Sequence, residues 1–368
     1  MLISFGIEII ALGSLIVLGC FAALVLLTRK DNASPNKFLS IFLLTVSLWL
    51  IDSFLRLSGI YQQDPDYYFL PIYYSLAFGP LIYFYVRSLT NPHFQFSRKQ
   101  LWHFTPVLIQ ALLYLFLNLK EYSFKRWYWL EVHQPYTYRI EFDGTFLSLA
   151  IYLYGSIQLI KSYQRRLEDN YSDTHKIRLH WLRGLLIILF ILCIAWFVEV
   201  IFRDYYHNYY QFNYTSLILG ILTLVLAYGA MTQPNLTAVE LEKENIEDAT
   251  QVPIDDDTKN IIRAQMTTHR AYLDSALSLN AFALQCGLPV RKISQGINQG
   301  FSMSFHDYIN QHRVEAVKEQ LKTADLEIYT IQGIAMDCGF NSKATFNRIF
   351  KTFTGITPTQ YVKKLNLS

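Results

Sequence analysis

The chain changes character near residue 232. Long apolar runs fill the part before it, and polar and charged positions dominate the part after it. A helix needs about 20 apolar residues to cross a bilayer. The runs therefore predict seven membrane-spanning helices, at 3–28, 37–57, 69–90, 101–118, 144–162, 181–202 and 213–231. The predicted fold is all-α, with a seven-span bundle at 1–231, an acidic cytoplasmic linker at 232–257 and a small helical domain at 258–368.

Composition supports this division and excludes several classes of protein. Apolar residues make up 52% of the 368 residues and charged residues only 17%, with a formal net charge of +3. From Thr258 onward, however, the chain contains thirteen Lys and Arg but only seven Asp and Glu. The four cysteines form no CxxC or Cys/His cluster, so neither a disulfide framework nor a metal site is expected. No catalytic motif is present, so neither enzymatic activity nor a cofactor is expected.

Basic residues in the loops predict the orientation of the bundle, because cytoplasmic loops carry an excess of Lys and Arg. An N-terminus outside the membrane places twelve in cytoplasmic loops: Arg29, Lys30, Lys37, Arg87, Arg98, Lys99, Lys161, Arg165, Arg166, Lys176, Arg178 and Arg183. The outer segments then hold six: Arg56, Lys120, Lys125, Arg126, Arg139 and Arg203. This bias predicts a multi-pass protein of a bacterial inner membrane with its C-terminal domain in the cytoplasm.

Charged residues at the outer ends of the spans are candidate sensor residues, because charge inside a membrane is costly and often functional. They are Glu8, Asp52, Arg56, Glu199 and Arg203. Asp52 with Arg56, and Glu199 with Arg203, have the four-residue spacing that places two side chains on one helix face. Two interpretations stay open, which are local ion pairs and an outward-facing polar pocket that binds a stimulus.

The last 110 residues contain an internal repeat. Ala283-Leu-Gln-Cys-Gly-Leu288 is matched 52 residues later by Ala335-Met-Asp-Cys-Gly-Phe340. A candidate N-cap, Ser278 or Thr330, precedes each alanine by five residues. Helix, glycine turn and helix is the order of a helix-turn-helix motif, so the pattern predicts two such motifs. An amphipathic helix at 304–322 would join them.

The second helix of each motif carries candidate DNA-binding side chains. Over 342–352, Ser342 can cap the helix, and Phe346, Ile349 and Phe350 would form its buried stripe. The polar set Lys343, Asn347, Arg348 and Lys351 falls largely on the other side, and such side chains suit base edges and phosphates. A solvated helix face is the competing interpretation. The first motif places its second helix at 290–299.

Three segments carry a resemblance to a known family. They are SFHDYINQHRVEAVKEQL, IQGIAMDCGFNSKATFNRIFKTFTG and TPTQYVKK. Residues from about 258 to 366 resemble the DNA-binding domain of the AraC/XylS transcription regulators, whereas the apolar part does not resemble that family's soluble sugar-binding sensor. The resemblance implies seven helices and two recognition helices in successive major grooves. It places these residues at the DNA: Arg291, Ser294 and Gln295, with Lys292 and Asn298 nearby, then Lys343, Ala344, Asn347, Arg348 and, at a phosphate, Lys351.

The first motif departs from the family pattern. Gly296 stands where a large apolar residue is usual, and Asn298-Gln299 replaces a commonly basic pair. A glycine inside a helix costs about 1 kcal/mol relative to alanine. We therefore expect this motif to bind DNA more weakly than the second, or to fold on it.

These features together predict a membrane-bound, sequence-specific transcription regulator that senses a stimulus through its spans. The expected partners are double-stranded DNA, the lipid bilayer, a small-molecule or envelope stimulus, a second copy of the chain and, for an activator, RNA polymerase. The alternative is a membrane receptor or transporter whose helical tail regulates it by protein contact. Proteolytic release of the DNA domain is a variant of the first hypothesis.

Overall fold

The structure, a computed structural model, describes residues 6–173, 179–206, 214–233, 255–323 and 329–365. Within these ranges every regular element is helical, apart from one isolated antiparallel bridge between Tyr171 and Ser278. The all-α class is thus confirmed for the described residues. Most of the predicted linker at 232–257 lies outside them, and the side chain of Arg203 is not described either.

The chain divides into two compact units. The first comprises residues 1–161 with 179–239, and the second comprises residues 162–178 with 240–368. The helices of the first are α1 Ile7–Thr28, α2 Ala33–Leu57, α3 Ile60–Gln63, α4 Phe78–Thr90, α5 Thr105–Asn118, α6 Tyr122–Tyr128, α7 Tyr138–Asn170, α8 His180–Tyr206 and α9 Tyr214–Thr232. The boundary falls inside α7, whose last residues belong to the second unit.

Five helical stretches of the first unit are long and apolar enough to cross a membrane: Ile7–Thr28, Ala33–Leu57, Arg98–Asn118, His180–Phe202 and Thr215–Thr232. The predicted third span, 69–90, contains an α-helix of only 13 residues, Phe78–Thr90. The predicted fifth span, 144–162, lies in the 33-residue helix α7, which is long enough but less apolar. The count of seven therefore stays a prediction.

Small side chains let the apolar helices of the first unit approach each other closely, as membrane helices often do. Gly19 of α1 faces Ser47 of α2, and a Cβ atom on Gly19 would lie 2.5 Å from the Ser47 hydroxyl. The apolar face that α1 turns to its neighbours includes the fully buried Leu12, Ala23 and Leu26. Many other apolar side chains of this unit remain exposed, including Val17, Leu24 and Ile191. Such a surface suits a lipid environment.

The second unit has two hydrophobic cores that share one long helix. Its helices are α10 Asp256–Thr267, α11 Leu279–Cys286, α12 Val290–Gly300, α13 Phe305–Thr323, α14 Ile331–Asp337, α15 Lys343–Thr354 and α16 Pro358–Leu365. The first core contains Phe282, Ile297 and Phe305. The second contains Val317, Phe346 and Phe350. Because α13 supplies side chains to both cores, it connects the two halves of the unit.

Candidate nucleic-acid interface

Two helix pairs in the second unit have the same local construction. The first pair is α11 with α12, and the second pair is α14 with α15. Ser278 and Thr330 cap the leading helices, because their hydroxyls accept the N–H groups of Ala281 at 3.2 Å and Gly333 at 3.0 Å. Both predicted N-caps are therefore confirmed.

The turn after each leading helix is also the same. Gly287 and Gly339 have φ angles of 65° and 90°, a left-handed conformation that side chains with a Cβ resist. In each turn, the N–H of the residue after the glycine donates to the carbonyl of the repeat's alanine. Leu288 donates to Ala283 at 3.2 Å, and Phe340 donates to Ala335 at 3.1 Å. The predicted glycine turns are confirmed.

Helix α15 presents one buried and one exposed face, as its sequence predicts. Ser342 caps it by accepting the N–H of Thr345 at 3.1 Å. Phe346, Ile349 and Phe350 are buried in the second core, and Thr345, which precedes Phe346 in the sequence, is also buried. The opposite face is exposed and carries Lys343, Ala344, Asn347, Arg348 and Lys351. The five predicted residues after the cap thus lie on one accessible surface, which is hereafter called the α15 face.

Helix α12 is less uniform. Ile293, Gly296 and Ile297 are buried, whereas Arg291 and Asn298 are exposed. The other three predicted residues, Lys292, Ser294 and Gln295, are only half-buried. The exposed part of this helix therefore offers fewer fully accessible polar side chains than the α15 face.

Lys292 is engaged in a contact that the sequence did not indicate. Its Nζ lies 3.1 Å from Oδ2 of Asp255, the residue that caps α10. Asp255 also accepts the N–H of Thr258 at 3.0 Å. The hydrogen bond that Asp255 accepts from the Thr258 hydroxyl, followed by the contact with Lys292, lowers the pKa of Asp255 to about 2. The carboxylate is therefore ionised at neutral pH and pairs with the ammonium group of Lys292.

The shared helix α13 holds a buried cation, Arg313, which is 1% exposed. Its guanidinium donates to the carbonyls of Tyr272 at 2.8 Å and Asp274 at 2.7 Å. It also donates to Oδ1 of Asn310 at 3.3 Å and to Oγ of Ser172 at 3.2 Å. Burial lowers the pKa of Arg313 to about 10, while the carboxylates of Asp173 and Asp274 act in the opposite direction. The buried guanidinium thus stays charged near neutral pH, and a buried charge requires such partners.

The predicted sensor residues of the first unit have different surroundings. Asp52 accepts from Arg56 at 3.1 Å, as the four-residue spacing suggested, and also from the hydroxyl of Tyr61 at 2.7 Å. Glu8 is exposed near the start of α1. Glu199 accepts a hydrogen bond from Thr215 of α9, and its predicted partner Arg203 has no described side chain.

Among the described side chains of the first unit, the most buried carboxyl group is one that the sequence did not indicate. Glu141 is 7% exposed and accepts a hydrogen bond from the Tyr114 hydroxyl at 3.0 Å. The ring of Tyr114 stacks with that of Tyr73, with centroids 6.2 Å apart. Glu141 stands just before the predicted fifth span, so only its distant partners in the fold distinguish it from a solvated helix end.

An apolar cleft with a cavity volume of about 50 Å³ lies in the first unit. Its walls include Trp49, Phe78 and Trp196, and its polar atoms come from hydroxyl groups such as those of Ser75 and Thr145. These two hydroxyls lie 2.7 Å apart. The described residues contain no cluster of His, Cys, Asp and Glu that could hold a metal ion.

The comparisons with known proteins concern the second unit. Residues 282–364 match a family model described as a helix-turn-helix domain. An uncharacterised HTH-type transcriptional regulator of Staphylococcus aureus strain COL is 36% identical over 85 residues, which are 23% of this chain and 11% of that protein. The regulatory protein SoxS of Escherichia coli K12 is 28% identical over 94 residues, which are 26% of this chain and 85% of SoxS.

The family model covers residues 282–364 of the 368 residues. The chain spans only 11% of the length of the staphylococcal relative. No solved structure matches this chain. Within the matched residues, the two helix pairs and the shared helix occur in the order that the AraC/XylS resemblance implies. Residues 282–364 are therefore a helix-turn-helix domain of the AraC type.

Proposed function

We propose that this protein is a membrane-bound, sequence-specific DNA-binding transcription regulator. Residues 1–231 form a seven-span sensor in the inner membrane of a bacterium, with the N-terminus outside. Residues 232–257 are a cytoplasmic linker, and residues 258–368 bind the major groove through two helix-turn-helix motifs. A stimulus received by the spans changes how the DNA-binding domain engages its operator.

The observation that carries the proposal is the α15 face. Lys343, Asn347, Arg348 and Lys351 are exposed together, while the opposite face of the same helix is fixed in the second core. Lys and Arg side chains can contact guanine or phosphate, and Asn can pair with adenine. The relatives that match this domain carry the names of regulators, which supports the same function.

Membrane attachment is supported by the apolar stretches of the first unit. Two copies held in one membrane would have a high effective concentration for adjacent DNA sites, so a homodimer on paired operators follows from the tether. Activation would bring a contact with RNA polymerase. A stimulus could be received at Asp52, with its partners Arg56 and Tyr61, or in the apolar cleft. The cleft would suit a mostly apolar molecule with one polar end, because its lining is apolar apart from hydroxyl groups.

Chromosome-wide mapping of DNA bound to the full chain tests the proposed function. The test variant replaces Lys343, Asn347 and Arg348 with alanine. The matched control replaces Lys318 and Lys322 of α13 with alanine, which removes the same number of cations. Those two lysines already pair with Glu315 and Glu319 at 2.9 Å and 2.6 Å. We expect discrete bound sites for the wild type and the control, and their loss in the test variant. Identical sites in both variants would contradict the proposal.

Topology is tested separately with single cysteines introduced in a chain whose four natural cysteines are replaced by alanine. Thiol labelling of intact cells with a membrane-impermeant reagent should modify a cysteine at Tyr122, which lies in a predicted outer segment. It should spare one at Arg98, in a predicted cytoplasmic loop. The reverse pattern would overturn the proposed orientation while leaving the DNA-binding assignment intact.

A further inference from the structure

The end of helix α7 belongs to the second unit and is bound there by a set of hydrogen bonds. The segment 170–173, hereafter called the strap, begins with the last residue of that helix. Tyr171 forms an antiparallel bridge with Ser278, the residue that caps α11. The strap thus reaches the point where the first helix pair begins.

Ser172 is the centre of this contact and is fully buried. Its N–H and its hydroxyl both donate to the carbonyl oxygen of Leu277, at 3.2 Å and 2.8 Å. Its hydroxyl oxygen accepts from Arg313 at 3.2 Å, and its carbonyl accepts from the side chain of Asn310 at 2.9 Å. Every polar group of Ser172 therefore has a partner in the second unit, although Leu277 is 105 residues away in the chain.

The partners of Ser172 are themselves structural centres of the DNA-binding half. Leu277 directly precedes the N-cap of α11. Asn310 and Arg313 are buried in α13, the helix that connects the two cores. Arg313 remains charged, so a lost acceptor would leave a buried cation with fewer hydrogen bonds, which is costly. Removal of the strap should therefore loosen the first helix pair.

Helix α7 is long enough to link this site to the bundle. It has 33 residues, and a helix of that length extends about 50 Å, whereas a bilayer core is about 30 Å thick. The helix is unbroken from Tyr138 to Asn170, so it connects residues of the first unit to the strap without an intervening loop. The covalent link through 232–257 would be a second route between the units.

We infer that the strap is an intramolecular docking element that makes the order of the first helix pair depend on the position of helix α7. Docking keeps α11 and α12 in place for DNA binding. A stimulus that shifts α7 withdraws Ser172 from Leu277, Asn310 and Arg313, and the first helix pair then loses order. The consequence for DNA affinity rests on the proposed function, whereas the docking itself does not.

The test uses the full chain in lipid nanodiscs and compares Ser172→Trp with Ser162→Trp. The first substitution places a large ring in a filled site and displaces the strap. The second makes the same change at Ser162, an exposed position of helix α7 ten residues earlier in the chain. Ser172→Ala is a milder variant that removes only the hydroxyl bonds and leaves the main-chain bonds of residue 172 in place.

Hydrogen exchange measured by mass spectrometry reports docking without DNA. Ser172→Ala should raise the exchange rate of the Leu279–Cys286 amides roughly tenfold, as expected for two lost hydrogen bonds, and Ser172→Trp should raise it further. The Lys343–Thr354 amides should keep their wild-type rate in both, which separates local loosening from general unfolding. Wild-type rates at Leu279–Cys286 in Ser172→Trp, or equal acceleration in both segments, would overturn the inference.

Binding to an operator taken from the chromosome-wide map reports the consequence. Ser172→Trp should bind about tenfold more weakly than Ser162→Trp, because the binding-competent fraction falls. Equal affinities would show that the strap does not control DNA binding. Failure of the wild-type chain to bind any site would instead contradict the proposed function and leave the exchange result to decide the docking.

Discussion

Gly296 of α12 lies directly against Ile262 of α10, so that a Cβ atom on the glycine would come within 2.7 Å of the isoleucine Cδ1. Both residues are buried, and the two helices approach closely at this point. The sequence suggested that Gly296 weakens the first helix pair, because glycine disfavours helix. The structure gives this glycine a packing role, since a Cβ atom at this position would require the end of the Ile262 side chain to move.

The contact predicts that larger residues at 296 destabilise the first core. Gly296→Leu should cost about 1–3 kcal/mol through overpacking, despite the better helix propensity of leucine. The measurement is hydrogen exchange in Asp256–Thr267, which should become faster. Gly300→Ala serves as the control, because its Cβ would meet only the flexible Lys259 side chain, at 3.4 Å. If the double variant Gly296→Leu with Ile262→Ala regains slow exchange, the destabilisation comes from the contact between residues 296 and 262. An unchanged exchange rate in Gly296→Leu alone would contradict the prediction.

The ion pair between Lys292 and Asp255 predicts a variant with tighter DNA binding. Asp255→Asn removes the charge but can still cap α10, because asparagine is also a favoured N-cap. Lys292 then becomes available to a phosphate, so operator affinity should rise and its salt dependence should steepen by up to about 0.9 in the logarithmic slope. Titration of the operator at several salt concentrations measures both.

The matching control for this pair is Lys292→Ala. Lys292→Ala should bind the operator more weakly and with a shallower salt slope than Asp255→Asn, because it lacks this cation. Adding Asp255→Asn to Lys292→Ala should change neither the affinity nor the slope. If Asp255→Asn also raises the affinity in the Lys292→Ala background, electrostatic repulsion between Asp255 and DNA limits binding. The ion pair with Lys292 would then not be the cause.

Alanine substitutions at two residues of the α15 face should affect DNA binding in different ways. Asn347→Ala should cost about 1–3 kcal/mol at the preferred operator and relax specificity at one base pair. Lys351→Ala should weaken all sequences about equally and reduce the salt slope by about 1. Binding-site selection combined with salt titration distinguishes them. Loss of specificity from Lys351→Ala, with no such loss from Asn347→Ala, would mean that the assigned roles are reversed.

His312 predicts a pH dependence of the second unit. Its ring stacks with Tyr272 and meets Tyr308 edge to face, with centroids 6.2 Å and 5.0 Å apart. Burial lowers the pKa of His312, and Glu315 opposes this effect. The unfolded chain takes up this proton near pH 6.5, whereas the folded unit does so only at lower pH. The contribution of neutral His312 to the free energy of unfolding is therefore fully present above about pH 6.5. It is lost as the pH falls towards the pKa of His312 in the folded unit.

The measurement is hydrogen exchange in α13 at pH 7 and pH 5, corrected for the intrinsic pH dependence of amide exchange. The corrected rate should rise at pH 5 in the wild type, and the rise should be smaller in His312→Gln. An equal rise in both chains would assign the pH dependence to other groups.

Local features were predictable because neighbours in the chain determine them. The caps Ser278, Thr330 and Ser342, and the turns at Gly287 and Gly339, depend on a hydroxyl or a missing Cβ within a few residues of the backbone they serve. The exposed α15 face follows from helical periodicity. The same periodicity was less informative for the spans, because Phe78–Thr90 is short and α7 mixes apolar and polar residues.

Residue patterns were thus sufficient to predict an all-helical chain with a long apolar part, two helix pairs joined by glycine turns and a polar face on α15. Only the folded chain shows that Gly296 is a packing contact, that Asp255 pairs with Lys292 and that Glu141 accepts from Tyr114. It also placed Ser172 against Arg313. These relationships join residues far apart in the chain. Hydrogen bonding and close packing depend on positions in space, which no local pattern of residue types specifies.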